Sequence, residues 1–178
     1  RFDENVVFVS FDNILRDDFK PYLLKSTDKG KTWKSITQGF DDNGTIHTIE
    51  QDNINADLLF AGTEFGVYFS YNGGENWVQI KSGIPSVAVK DLAIQTRESD
   101  LVAATFGRGF YILDNYSALR EVKPALVEKD AHIFPVKDAL MYFQTSNKYG
   151  QGSTEYLGEN PPFGATFTFY LKDVPKTQ

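Results

Sequence analysis

The sequence predicts an all-β fold: part of a β-propeller, then a linker, then the start of a further β domain. Three observations predict it. A segment recurs, Ser26 to Trp33 and again Ser70 to Trp77, with the two tryptophans 44 residues apart (33 to 77). Self-similar β-rich units of about 40–50 residues are the signature of propeller blades. Short runs of apolar and β-branched residues alternate with turn signals along most of the chain, as in all-β repeats. Hydrophobic residues make up 41% and aromatic residues 15% of the chain, which is enough to pack sheet on sheet and excludes a disordered polymer.

Taken in order, Val6–Phe11 and Tyr22–Ser26 read as two strands joined by a loop over Asp12–Pro21, and Trp33–Thr37 as the strand after the first recurring segment. The second unit reads as four strands: Ile46–Glu50, Leu58–Gly62, Val67–Tyr71 and Trp77–Lys81. The third has Val89–Gln95, Leu101–Thr105 and Gly109–Leu113, with no fourth strand evident. Residues 1–120 thus hold one complete blade and two partial ones. A blade buries its faces only against neighbours, so the rest of the same propeller is an expected partner. Residues 121–162 read as a linker or edge segment. A helical turn over Tyr116–Val122 leads into it, and within it lie two short strands at Ile133–Val136 and Leu140–Gln144 and a polar loop at Thr145–Pro162. Residues 163–178 read as the first strand of a following β-sandwich-like domain, carried by Ala165–Leu171.

The recurring segment has a mechanical reading. Apolar runs flank each copy, which makes each a hairpin loop. Asp28 and Asn72 can accept hydrogen bonds from backbone N–H groups of their own turns. Gly30 and Gly74 supply a positive φ at no steric cost. Ser26, Thr32 and Ser70 offer hydroxyls to the same loops. Trp33 and Trp77 start the next strand, each able to bury roughly 150–250 Å² between neighbouring sheets. The loop is a self-bonded clip that needs neither metal nor ligand.

This pattern resembles the Asp-box, or BNR, repeat. The first copy has every defined position, Ser26, Asp28, Gly30, Thr32 and Trp33; the second keeps Ser70, Gly74 and Trp77 but has Asn72 for Asp and Asn76 for Thr. Phe60–Gly66, Gly83–Pro85, Asp91–Ile94 and Thr105–Asp114 resemble, more narrowly, the C-terminal blades of large secreted bacterial proteins called glycosyl hydrolase-like or sortilin-like. The resemblance covers roughly residues 5–120. It implies a secreted, periplasmic or cell-surface location, and either a binding module or part of a glycoside hydrolase.

Charge and composition narrow the partners. The net charge is −6 and the pI about 4.9, with no basic cluster, which argues against nucleic acid. No apolar run approaches the roughly 18 residues of a membrane span. There is no cysteine, so disulfides, thiol nucleophiles and cysteine-ligated metals are excluded. The chain starts at Arg1 without a signal peptide, which reads as a piece of something longer.

Candidate chemistry gathers on one rim. With strands named A to D from the axis outward, the recurring clip is the C–D turn, and the B–C turns lie on the opposite face around the channel mouth. The three B–C turns carry Arg16, Asp17 and Asp18; Glu64 and Phe65; and Phe106 and Arg108. Asp17, Asp18 and Glu64 are candidate catalytic carboxylates, since glycoside hydrolysis needs an acid and a base or nucleophile. Arg16, Glu64, Phe65, Phe106 and Arg108 are candidate ligand contacts. Equally, these are solvated loop charges, with Arg108 paired to a carboxylate to pin adjacent blades. No catalytic set is complete, so the favoured reading is a non-catalytic module binding a glycan, peptide or protein. The alternative is part of a polysaccharide-active glycoside hydrolase. A typical sialidase is disfavoured: that chemistry needs three arginines on one rim, and only Arg1, Arg16, Arg97, Arg108 and Arg120 are present. His47 and His132 read as strand residues rather than ligands. No cofactor is expected; a calcium ion on the acidic loops, such as Asp41–Gly44, is the one metal the pattern admits.

Overall fold

The computed structural model describes residues 2–139, 141 and 163–173. They form two compact units, residues 1–123 and 124–178.

The first unit is three antiparallel meander sheets in succession. Sheet one contains β1 (Val7–Asn13), β2 (Asp18–Ser26) and β3 (Lys34–Ser35). Sheet two contains β4 (Ile46–Gln51), β5 (Leu59–Thr63), β6 (Gly66–Ser70) and β7 (Val78–Ile80), in the order β4-β5-β6-β7. Sheet three contains β8 (Val89–Gln95), β9 (Asp100–Thr105) and β10 (Phe110–Leu113), with β9 central. The sheets stack face to face in chain order, β4 lying between β1 and β8. The observed arrangement is a four-stranded sheet flanked by two three-stranded ones. The expected long loop over Asp12–Pro21 is instead continuous strand on both sides of a one-turn 3-10 helix, Ile14–Arg16. The proline is tolerated there because the β1–β2 register slips between Phe11 and Asn13, where strict pairing is relaxed.

Alternation sorts the side chains between two cores. Leu59, Ala61 and Tyr68 of sheet two face sheet one and bury against Leu23 and Ile36. Leu58, Phe60 and Val67 face the other way, onto Val89, Leu92, Leu101 and Ala103 of sheet three. This is the period-2 pattern of strands covered on both faces.

Both clip loops form as the residue pattern predicts. Ser26 Oγ donates to Asp28 (2.8 Å) and accepts from Gly30 N (2.8 Å), while Asp28 accepts from Thr32 N (2.8 Å) and Thr32 Oγ1 (2.6 Å). Ser70, Asn72, Gly74 and Asn76 repeat the frame at 2.9–3.0 Å, without the hydroxyl bond that Thr32 supplies. Gly30 and Gly74 take φ +83° and +94°. The tryptophans differ. Trp77 is buried, reaching back onto sheet one with its indole N–H donated to Ile36 O at 2.7 Å. Trp33 remains 42% exposed, which corrects the expectation that both are buried. Trp77 packs toward the sheet before its own, and among the described residues no sheet precedes β1.

In the third sheet the clip is replaced. After β10, Asn115 turns left-handed (φ +46°) and Tyr116–Glu121 form a 3-10 helix, as the helical-turn reading expects. Tyr116 N donates to Ser99 O, as Gly73 N donates to Asp57 O and Lys29 N to Asn5 O in the earlier units. The helix is clasped to sheet two. Arg120 binds the buried Asp52 through two nitrogens (2.8 and 2.9 Å), and Tyr116 donates its hydroxyl to the same carboxylate at 2.6 Å.

In the second unit, α1 (Pro124–Val127) precedes β11 (Ala131–Ile133), which pairs antiparallel with β12 (Phe169–Leu171). The segment read as a linker and the strand read as opening a new domain therefore share one two-stranded sheet. The strand expected at Ile133–Val136 lies instead at Ala131–Ile133, overlapping it only at Ile133, while the one at Ala165–Leu171 narrows to β12. The expected strand at Leu140–Gln144 and loop at Thr145–Pro162 fall outside the described residues, save Met141. Among the described residues no helix is long and apolar enough to cross a membrane.

Candidate functional site

The site is built on two matched irregularities. The β4–β5 register shifts between Ile46 and Thr48, and the β8–β9 register between Val89 and Asp91. The residues inside these bulges are His47 and Lys90, the second residue of each innermost strand. A bulge adds a residue to one strand and re-aims its side chain. Here both side chains turn toward the B–C turns. Those turns are tied down in the same way in each sheet: Glu64 N donates to Thr45 O (3.0 Å), and Phe106 N to Ala88 O (2.8 Å).

The result is a cluster that crosses from sheet two to sheet three. Glu64 Oε2 lies 2.8 Å from His47 Nε2 and 3.4 Å from Lys90 Nζ; Lys90 Nζ lies 3.0 Å from the same His47 nitrogen. Lys90 also sits over the Phe106 ring, 5.9 Å from its centroid. The Glu64 and Lys90 side chains are 46% and 45% exposed, so the cluster is open to a ligand. A neutral imidazole Nε2 offers either a proton or a lone pair, so it serves one of its two neighbours. When it donates to Glu64, the three ammonium protons of Lys90 are left for Glu64 and for whatever binds above. The His47 hydrogen bond lowers the Glu64 carboxyl pKa; burial opposes this and Lys90 reinforces it. Glu64 is thus an ionised acceptor at neutral pH, not a proton donor.

Phe65 adds an aromatic surface. A Cβ at Gly44, where φ is +134°, would lie 2.9 Å from two carbons of the Phe65 ring. Only glycine lets the ring lie flat against the backbone there. Phe65 O accepts from Gln79 Nε2 at 3.1 Å. A cavity of about 320 Å³ opens beside it, lined by Phe65, Gln79, Ile80, Lys81, Ile84 and Pro85 among others.

The other sequence candidates stand apart from this cluster. Asp17 is left-handed (φ +58°) and closes the one-turn helix, its N–H donated to Ile14 O. Asp18 is engaged locally: Tyr22 OH, Lys20 N and Asn13 Nδ2 all donate to it, and the Tyr22 bond most of all lowers its pKa. Neither makes a hydrogen bond or ion pair with Glu64. Arg16 and Arg108 are exposed. Among the described residues Arg108 forms no ion pair, and Glu64 instead meets His47 and Lys90. His47, expected to be a plain strand residue, and Lys90, not considered, are the side chains that meet Glu64. Among the described residues no group of three or more metal-ligating side chains occurs, and Asp41 instead accepts from Tyr68 OH at 2.9 Å.

Two solved structures share part of this fold. An ancestral GH74 enzyme matches at 20% identity over 60% of this chain and 12% of its own, with a TM-score of 0.47. The GH74 xyloglucanase from Xanthomonas campestris matches at 13% identity over 58% of this chain and 17% of its own, with a TM-score of 0.45. The chain therefore spans less than a fifth of either enzyme's length. No family model and no curated protein matches it.

Proposed function

We propose that this chain is a non-catalytic binding segment of a larger secreted or cell-surface propeller protein of the Asp-box kind. Its rim around Glu64 takes a glycan or a peptide. One observation carries the reading: matched bulges at His47 and Lys90 converge two B–C turns on a half-exposed carboxylate, flanked by Phe65 and Phe106. An ionised acceptor, an ammonium donor and exposed aromatic rings are the parts that hold hydroxyl-bearing or peptide ligands by hydrogen bonds and stacking. The partners on either side are further blades. Trp33, Val9 and Phe11 leave apolar surface on sheet one that a preceding blade would cover.

The second reading is part of a glycoside hydrolase. Glu64 favours it only as one half of a pair: held ionised, it fits a base or nucleophile, and the neutral acid must come from elsewhere. The two readings part in one experiment. The chain is titrated against plant, animal and bacterial polysaccharides and an unstructured peptide pool, and reducing-sugar release is followed in parallel. The binding reading expects saturable binding that Lys90→Ala and Glu64→Gln weaken by about tenfold or more, an amount typical of losing one charged hydrogen bond, without sugar release. Sugar release that Glu64→Gln abolishes would overturn it in favour of the hydrolase.

A further inference from the structure

One nitrogen of the rim cluster is shared by two neighbours that need opposite things of it. His47 Nε2 lies 2.8 Å from a Glu64 carboxylate oxygen and 3.0 Å from the Lys90 ammonium, and those two lie 3.4 Å from each other. A ring nitrogen carries either a proton or a lone pair, never both. With the proton on Nε2, the ring donates to Glu64 and Lys90 faces a donor. With the lone pair there, the ring accepts from Lys90 and the Glu64 oxygen faces a second acceptor. Lys90 therefore has an acceptor in His47 only while the ring is neutral.

Protonation of the ring removes the choice. Both ring nitrogens then donate. The lone pair that Lys90 uses is gone, and a second positive charge stands 3.0 Å from its ammonium. Glu64 gains a charge-assisted bond from His47, and it holds Lys90 only at 3.4 Å. The His47 side chain is 17% exposed, whereas Lys90 is 45% exposed on a long flexible stem, so Lys90 is the member that leaves. The elements packed on β4 are β5, β8, β1 and β2. Besides Lys90, the charged residues of these strands and of β4 are Glu50, Asp91, Asp12, Asp18, Lys20 and Lys25, and among the described residues none of them bonds to His47. Burial and then the Asp91 charge raise the Glu50 pKa, so these two carboxyls face one another. Asp12 accepts from Ile14 N and Asp18 from Tyr22 OH, Lys25 donates to Gly73 O, and Lys20 is exposed.

We propose that His47 is a pH switch of the rim, its protonation expelling Lys90 from the Glu64 pair. On the alkaline side the three side chains sum to no net charge and Lys90 is engaged. On the acid side they carry one positive charge, and the Lys90 ammonium is released beside the Phe106 ring, over which it already sits. An anionic group of a ligand thus meets a free ammonium only on the acid side. As regulation of ligand binding the switch rests on the reading above, but Lys90 is expelled with or without a ligand.

The test is an NMR titration of the full isotope-labelled chain from about pH 8 to about pH 5, the range in which imidazole ordinarily changes charge, with no ligand added. The His47 ring nitrogens and the Lys90 side chain are followed together. The Lys90 CεH2 signal should shift with the same midpoint as His47, and its cross-relaxation with the His47 ring should be lost on the acid side. In His47→Gln, whose amide does not titrate, the Lys90 signal should show no step over the same range. A Lys90 contact that persists once His47 is protonated would overturn the proposal. So would a Lys90 step that survives in His47→Gln, since Glu50 or Asp91 would then be its source. A ring that stays neutral to the end of the titration would overturn it as well. Because no ligand enters the titration, a rim that retains no glycan or peptide leaves these signals as they are, and the two failures are told apart.

Discussion

Trp33 and Trp77 occupy the same place in two copies of one motif, yet only Trp77 is buried. The difference is one of neighbours, and it has measurable consequences. Trp77→Ala removes a buried ring and its hydrogen bond to Ile36, and should cost about 3–5 kcal/mol in urea unfolding. Trp33→Ala should cost less than half of that. In the Trp33→Phe protein the remaining indole should resist acrylamide quenching; in the Trp77→Phe protein it should be readily quenched. The motif made both tryptophans legible in the sequence, but not which neighbour each would find. The cluster around Glu64 was half legible. Glu64 and Phe65 stood out in a B–C turn. His47 and Lys90 did not, because their recruitment depends on bulges. A signal was present all the same: Ile46 and Ile49 are three residues apart, as are Val89 and Leu92, where a regular strand would space its buried positions by two.

At the scale of elements, the Asp52 clasp explains why the third unit ends in a helix rather than a clip. Asp52 is 1% exposed and belongs to the turn between β4 and β5; its partners come from 64 and 68 residues later. No local pattern announces such a pairing, so the sequence reading left Arg120 as a residue outside the rim. Burial alone would raise the Asp52 pKa. The Arg120 guanidinium, the Tyr116 hydroxyl and the backbone N–H groups of Asn55 and Ile54 outweigh that and hold it at about 2. Breaking the clasp by Arg120→Ala leaves a buried carboxylate without its cation, and should destabilise the protein by about 3–5 kcal/mol. Asp28 is likewise held at about 2, by the Thr32 hydroxyl, the Thr32 N–H and the Ser26 hydroxyl. Both carboxyls titrate lower folded than unfolded, so their contribution is complete above about pH 4 and is lost as pH falls toward 2. Acid unfolding followed by circular dichroism should fall in that window. In Asp28→Asn the dependence on pH should be shallower.

Across the whole molecule, the repeat alone was enough to predict three successive sheets, their strand order and the face each clip occupies. What the repeat could not convey is where it stops being regular. The Asp52 clasp and the pairing of β11 with β12 come from long-range contacts that no short window contains. The bulges at His47 and Lys90 are what bring these two side chains to Glu64 across two sheets. The central claim is that the ligand is held by the Glu64 cluster and not by the neighbouring acidic turn. Affinity electrophoresis of the wild-type, Glu64→Gln and Asp18→Asn chains in gels containing the retained polysaccharide or peptide tests it most directly. The account predicts that Glu64→Gln runs unretarded while Asp18→Asn is retarded like the wild type. Retardation that survives Glu64→Gln and disappears in Asp18→Asn would contradict it.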